Sequence, residues 1–472
     1  MKWSKIALAA TLIGAIYGVP AWAQVPVQPA AGKPVSYFQV ADVQTQGSPS
    51  DAAKTMEMGM PTMEMMAAEE APAEEEAEEE EEGDPMWRLF GTGPRGWSIT
   101  GWAAAGIAGN PQGPTDRFNG PVTWPDRSND LQFNELYTTF KKDAVSECDG
   151  WGFGGRVDLV YGSNYRFITS AGLESRWNTG AEYGLAMPNA YAEVAKGKFK
   201  TKLGHFTSPV GYFAVGTGNN FFNVLPYTFQ YGEPFTHTGF ITTAQVNDDL
   251  SVGAGLINGW DSTANWDSTN TVFGPNANAW NRHCGFIGTA TQNNLQKEGD
   301  SLAYVGIWSL EPDATLANRT SRYLQTIVYS RPLTEKLQYV FQSDFGAQSA
   351  ALANGQGAQW YGVNQYMIWT QNDCWKWGAN FEWFRDDDGF RVVGATPSFG
   401  SPAARSFGRG PFQGDFFRMM AGPSWTPHNN VVVRPAIVYD WYQGPGAGGL
   451  QPYDDGTKKD QLLLNLDVVV HF

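Results

Sequence analysis

The stretch DQLLLNLDVVVHF, residues 460–472, decides the fold. Leu462, Leu464, Leu466, Val468, Val470 and Phe472 fall on one face and are all apolar. Asn465, Asp467 and His471 fall on the other, interrupted by Leu463 and Val469. A period of two marks a β-strand. An apolar face set against a polar one is the pattern of a strand between lipid and a wet interior.

The same texture runs backward through the chain. In Val431 to Tyr442, Val431, Val433, Ile437, Tyr439 and Trp441 share one face, and Arg434 and Asp440 the other. In Cys374 to Arg385, Trp375, Trp377, Phe381 and Trp383 oppose Lys376, Asn380 and Glu382. In Trp151 to Tyr161, Trp151, Phe153, Gly155, Val157, Leu159 and Tyr161 oppose Arg156 and Asp158. An Arg facing lipid at the bilayer midplane would cost roughly 2–4 kcal/mol, so the charges fix the register. Arg156, Asp158, Lys376, Glu382, Arg418, Arg434 and Asp440 are therefore the candidate lining of a lumen.

Fifteen such segments start near Trp97, Leu131, Trp151, Asn189, Phe199, Phe235, Leu250, Leu302, Tyr323, Leu337, Gln359, Cys374, Phe416, Val431 and Asp460. Short connections (Lys142–Gly150, Gln245–Asp249, Arg331–Lys336, Gln371–Asp373, Pro427–Asn430) alternate with long ones (162–188, 207–234, 261–301, 386–415, 443–459). The alternation fails only across 261–337, and one more strand near His283–Thr291 restores it. The expectation is an all-β, transmembrane, antiparallel up-and-down barrel of about 16 strands, with short turns and both termini in the periplasm.

Composition agrees. Aromatic residues make up 14% of the chain and charged residues only 17%, against about a quarter in soluble domains. The net charge of −16 is concentrated. From Asp51 to Asp84 the chain holds fourteen acidic residues against Lys54 alone, whereas residues 85–472 hold 33 acidic and 28 basic ones. Nothing is basic enough for nucleic acid. Cys148, Cys284 and Cys374 show no metal spacing and no disulfide framework.

The N-terminus reads as a secretory signal, with Lys2 and Lys5, the uncharged run Ile6 to Val19, and the small-x-small site Ala21-Trp22-Ala23. Residues 1–23 are the expected signal peptide, cleaved before Gln24. Residues 24–85 form a low-complexity acidic leader, expected to stay disordered. Residues 86–472 form the barrel.

Five stretches carry a family resemblance: WGFGGRVDLVYG (151–162), KLGHFTSPVGY (202–212), LPYTFQYGEPFTHTGFITT (225–243), VGAGLINGWD (252–261) and FEWFRDDDGFR (381–391). In this order they resemble the β-barrel porin-2 (OmpL-like) family over roughly residues 97–472. The resemblance implies an outer-membrane barrel of a Gram-negative-type envelope, assigned as a porin. The C-terminal Phe472 resembles the aromatic signal that outer-membrane proteins present to the barrel assembly machinery.

The expected function is a water-filled channel for passive diffusion of small hydrophilic solutes or ions, since barrels of this size leave an aqueous lumen. The alternative is a structural or adhesive barrel that binds envelope or surface partners. Partners would be outer-membrane lipid, the assembly machinery and solutes, with a homo-oligomer compatible. No enzyme, cofactor or metal is expected. His205 and His237 flank a long connection but read as structural histidines. Asp386-Asp387-Asp388-Gly389 lacks calcium-loop spacing and reads as turn chemistry.

One segment stands apart. Thr207–Pro234 is long, has Glu233 as its one charge, and carries seven rings: Tyr212, Phe213, Phe221, Phe222, Tyr227, Phe229 and Tyr231. A solvated loop would rarely expose so many. Either they pack inward and narrow the lumen, or they cap the rim.

Overall fold

A computed structural model describes residues 88–90, 96–148, 150–170, 173–174, 177–178, 182–262, 285–312, 319–392 and 410–472. The signal peptide (1–23) and the acidic leader (24–85) lie outside the described residues.

Sixteen antiparallel strands form one closed barrel. They are β1 (Ser98–Gly109), β2 (Leu131–Lys142), β3 (Trp151–Gly162), β4 (Gly184–Lys196), β5 (Phe199–Thr207), β6 (Thr236–Gln245), β7 (Leu250–Ile257) and β8 (Gly285–Asn293). The second half is β9 (Ser301–Pro312), β10 (Arg319–Pro332), β11 (Leu337–Gln348), β12 (Ala358–Thr370), β13 (Trp375–Asp386), β14 (Gly414–His428), β15 (Val431–Gln443) and β16 (Asp460–His471). Each strand pairs with its chain neighbours, and β1 pairs with β16 in the register Trp102↔His471 to Gly109↔Leu464. Phe472 secures this seam, since its N–H and C=O exchange 2.9 Å hydrogen bonds with Gly101.

The alternation read from sequence is the alternation of burial. Leu462 is 38% exposed and Leu463 0%, and the pattern continues to Val470. Outward rings form two belts. Trp375 stacks on Trp425 at 5.6 Å and on Trp377 at 6.3 Å near one end of the strands. Phe417 stacks on Trp441 at 4.9 Å near the other. Trp377 and Trp383 belong to opposite belts of β13, roughly 20 Å apart along the strand at about 3.3 Å per residue. That spacing suits an apolar band about 25 Å tall between aromatic girdles.

The weakest strand expected, near His283–Thr291, is β8. Both ends of the barrel chain then lie at the short-turn end. A two-residue turn, Gly197-Lys198, joins β4 to β5 with Gly197 at φ +52°, a tight-hairpin conformation that disfavours side chains. Strand starts differ from the sequence reading most at β4 and β10, and by a residue or two at several others, β13 among them. β4 begins at Gly184 rather than Asn189, because a register shift opposite Asp158/Val160 breaks the alternation there. β10 begins at Arg319 rather than Tyr323, as its polar start pairs with Pro312 to Ser309 of β9. Cys374 lies in a turn capped by the Asn372 side chain, which accepts from the N–H groups of Cys374 and Trp375.

Cys148 and Cys374 are both exposed, in short turns. If these turns face the periplasm, a membrane-impermeant maleimide applied to intact cells should label neither. Asn354→Cys, in the exposed β11–β12 loop, should be labelled readily. Labelling of the two native cysteines from outside would reverse the topology.

Candidate permeation path

The connection between β5 and β6, residues 208–235 and hereafter L3, folds into the barrel. Phe213, Phe222, Tyr227, Phe229 and Tyr231 are buried. Phe221 packs on the wall at Gly378, and Tyr212 lies 5.0 Å from the Tyr366 ring. The rings therefore pack against the inner wall and do not cap the rim.

Charged and amide side chains of the wall hold the L3 backbone. On β13, Glu382 accepts from the N–H groups of Tyr227 (2.7 Å) and Thr228 (2.6 Å) and from the Thr228 hydroxyl. These N–H groups open the helical turn Thr228–Gly232, where backbone donors otherwise lack partners and a negative charge is favoured. On β2, Glu135 does the same for the 3-10 turn Thr217–Asn219, accepting from Thr217 N–H at 3.1 Å and from Trp102 Nε1 at 2.9 Å.

Arginines hold the carbonyls. Arg418 on β14 donates to Leu225 O and pairs with Asp440. Arg434 on β15 donates to Thr217 O (2.9 Å) and Asn220 O (2.5 Å) and pairs with Asp467 of β16. On β11, Gln342 accepts from Tyr212 N–H (2.9 Å) and donates to Glu233 (2.6 Å) and Asp344 (2.9 Å). On β12, Trp360 donates from its indole to Gly232 O at 3.0 Å. At Gly216 and Gly218 L3 runs so close to the Trp102 indole that a Cβ at either would sit 2.6 Å from the ring.

Each candidate lining residue faces inward. Asp158, Glu382, Arg418, Arg434 and Asp440 are buried. Arg156 pairs with Asp158 at 2.8 Å, and Asp158 also accepts from Tyr137 OH and Asn189. Lys376, at the short-turn end, is half-buried. The sequence reading placed Asp467 on the polar face without counting it among the lining candidates, and it missed Glu135, Gln342 and the lysines Lys141, Lys200 and Lys202. The alternation in FKTKLG (199–204) places Lys200 and Lys202 on one face and could have revealed them.

His237 Nε2 lies 3.0 Å from Ser208 Oγ. Its Nδ1 is held by the Gly259 carbonyl at 2.9 Å, not by a carboxylate, so the contact fastens the root of L3. Asp386 accepts from the N–H groups of Phe390, Arg391 and Val392, the turn chemistry expected. Burial, then the Asp344 carboxyl beside it, holds the Glu233 carboxyl well above the ordinary glutamate range.

A closed sixteen-stranded barrel with a loop folded into its lumen is the architecture of outer-membrane porins. The family model described as Putative beta-barrel porin-2, OmpL-like, matches residues 96–472, and the chain belongs to that family. Among solved structures, it is similar to the outer-membrane channel DcaP of Acinetobacter baumannii, with a TM-score of 0.50 at 10% identity over 80% of this chain and 97% of that one. It is similar also to an anion-selective porin from Comamonas acidovorans, with a TM-score of 0.50 at 8% identity over 80% of this chain and 99% of that one. No curated protein matches the sequence. The chain is an outer-membrane porin, a channel for passive diffusion. Its family and fold are typically those of non-enzymatic channels.

Two outcomes follow from the L3 anchors. Glu382→Ala leaves two buried N–H donors without their acceptor, at about 1–3 kcal/mol each. The barrel should still assemble, with a lowered thermal midpoint and noisier open-channel current. A wild-type midpoint would show that L3 does not depend on this anchor. For Glu233, a raised carboxyl favours the protonated form in the folded loop. That contribution is complete below the ordinary glutamate range and is lost as pH rises through the raised value. Channel noise should therefore grow toward alkaline pH and lose this dependence in Glu233→Gln.

Proposed function

We propose that small hydrophilic solutes and ions cross this porin along a path narrowed by L3, so that the loop sets the size limit and no chemical step occurs. The observation that carries this reading is the set of buried anchors on β2 and β11–β15. They fix L3 inside the barrel, where its rings share one buried cluster with Ile257, Ile287, Val305 and Leu324 of β7–β10. On this reading Arg156, Asp158, Glu382, Arg418, Arg434 and Asp440 act on permeation by holding the loop and by their field across the gap, and Lys376 meets solute at the mouth. Charges matter more in such a gap than in bulk water, because little water remains to screen them. We further propose that Phe472 is read by the barrel assembly machinery and that outer-membrane lipid covers the belts.

The test is single-channel conductance of the refolded chain in planar bilayers. Discrete, ohmic conductance steps are expected. Removing residues 213–229, with closed-barrel assembly verified by heat modifiability, should raise unit conductance severalfold and admit larger uncharged sugars. An assembled barrel that passes no current would overturn the reading in favour of a structural barrel. An unchanged conductance in the shortened chain would show that L3 does not shape the path.

A further inference from the structure

Two sides of the inner wall differ in what they offer water. On β7–β10 the inward side chains Ile257, Ile287, Val305 and Leu324 are buried in one cluster with Phe222, Tyr227 and Tyr231 of L3. These side chains need no hydrogen-bonding partner, and the rings of L3 cover them.

The inner face of β15, β16, β1 and β2 reads differently. The buried, inward residues in the second half of β1 are small: Ala104, Gly106 and Ala108. Across the sheet Ala108 pairs with Asn465 of β16, and Asn465 pairs with Ala436 of β15. Asn465 therefore stands between two methyl groups. On the other side of β1, Asn134 sits at the irregularity of β2 opposite Ala104 and Ala105. Asn223 lies on L3 between Asn220 and Leu225, whose carbonyls are held by Arg434 of β15 and Arg418 of β14.

These three asparagines are no more than 3% exposed. In each of them both the amide oxygen and the amide nitrogen lack a protein hydrogen-bond partner. Ser163 Oγ is unpartnered as well, in the segment where the Asn164 N–H donates to the Asn134 carbonyl at 3.2 Å. Buried polar groups left in this state are costly and rare. A carboxamide carries two donors and an acceptor with two lone pairs. Water and hydroxylated solutes supply partners for both. The acids nearby are already engaged, Asp467 by Arg434 and Glu135 by the L3 backbone, so the amides are the groups left to meet solvent.

We propose that the aqueous path past L3 runs along the inner face of β15, β16, β1 and β2, with Asn134, Asn223 and Asn465 as its hydrogen-bonding lining, and that β7–β10 form its dry wall. The inference deepens the porin reading and rests on it for its consequence in permeation. The small side chains of β1 and Ala436 keep the lane wide. Its amides replace part of the hydration that a solute gives up on entering.

The test is thiol accessibility in the full chain carrying Cys148→Ser, Cys284→Ser and Cys374→Ser. Single cysteines are introduced on the proposed lane, Ala108→Cys or Asn465→Cys, and on the opposite wall, Ile287→Cys or Val305→Cys. Each barrel is placed in a planar bilayer and exposed to a small, charged, water-soluble methanethiosulfonate reagent. Ala108→Cys and Asn465→Cys should react, with a severalfold fall in unit conductance. Ile287→Cys and Val305→Cys should react far more slowly and keep their conductance. Ala108→Cys adds a single sulfur atom, so it carries the test if Asn465→Cys fails to assemble. Reaction at Ile287→Cys or Val305→Cys as fast as at Ala108→Cys would overturn the proposal. So would a conducting barrel in which the lane cysteines stay unreactive, or one in which their reaction leaves the conductance unchanged. A barrel that passes no current defeats the porin reading, and labelling of Ala108→Cys in detergent, read by mass spectrometry against Ile287→Cys, then decides separately which wall water reaches.

Discussion

Hydrocarbon offers no hydrogen-bonding partner, and each unpaired peptide group there costs several kcal/mol. A strand crossing a membrane must therefore find a neighbour on both edges, and the last strand must find the first. The β1–β16 seam, completed by the reciprocal Gly101–Phe472 bonds, is where this chain meets the condition. The outward hydrophobic face, the inward polar face and the even strand number follow from it. Once the sheet is closed, each strand has one face in lipid and one in the lumen.

Closing sixteen strands creates a second demand, since a ring of that size encloses more space than its own side chains fill. L3 occupies that space, and it brings its own peptide groups into the interior. The wall answers with complementary chemistry. Carboxylates meet the N–H groups that open the two helical turns of L3, and guanidiniums meet its carbonyls. The arginines are in turn neutralised across the sheet, Arg418 by Asp440 on the next strand and Arg434 by Asp467 on the strand after. An ion pair buried without such secondary partners gives little net stability. Here each Arg satisfies a carboxylate and an L3 carbonyl together, so the same residue stabilises the wall and fixes the loop.

Much of this was legible because period two is a strong signal wherever one face meets lipid. Leu462 to Val470, and the tryptophans of β13, state their orientation outright. The signal failed where that condition fails. The irregularity near Asp158/Val160 and Pro188 hides the start of β4. The polar run Arg319 to Arg322 extends β10 toward the long-loop end, where no apolar face is required. Sequence identified L3 by its seven rings but could not choose between wall and rim, because that choice depends on partners distant in the chain. Glu135 lies 82 residues from Thr217, and Arg434 lies 217 from it. Parity could place Arg418, Arg434 and Glu382 inside the barrel. It could not separate a side chain that meets solute from one consumed by a loop.

That separation is the basis of the functional argument. A charge count over the barrel sequence returns an acidic excess, and a field computed from it would favour cations. The structure divides the same charges by access. The buried acids are committed to peptide N–H groups and guanidiniums, and their fields are largely cancelled within one residue's reach. At the short-turn end charges of both signs stay partly exposed, Lys200 at 43% and Asp143 at 53%. Selectivity depends on the potential along the path, not on the sum over the chain. A loop that engages acids and arginines alike can therefore leave a preference that composition alone would not give.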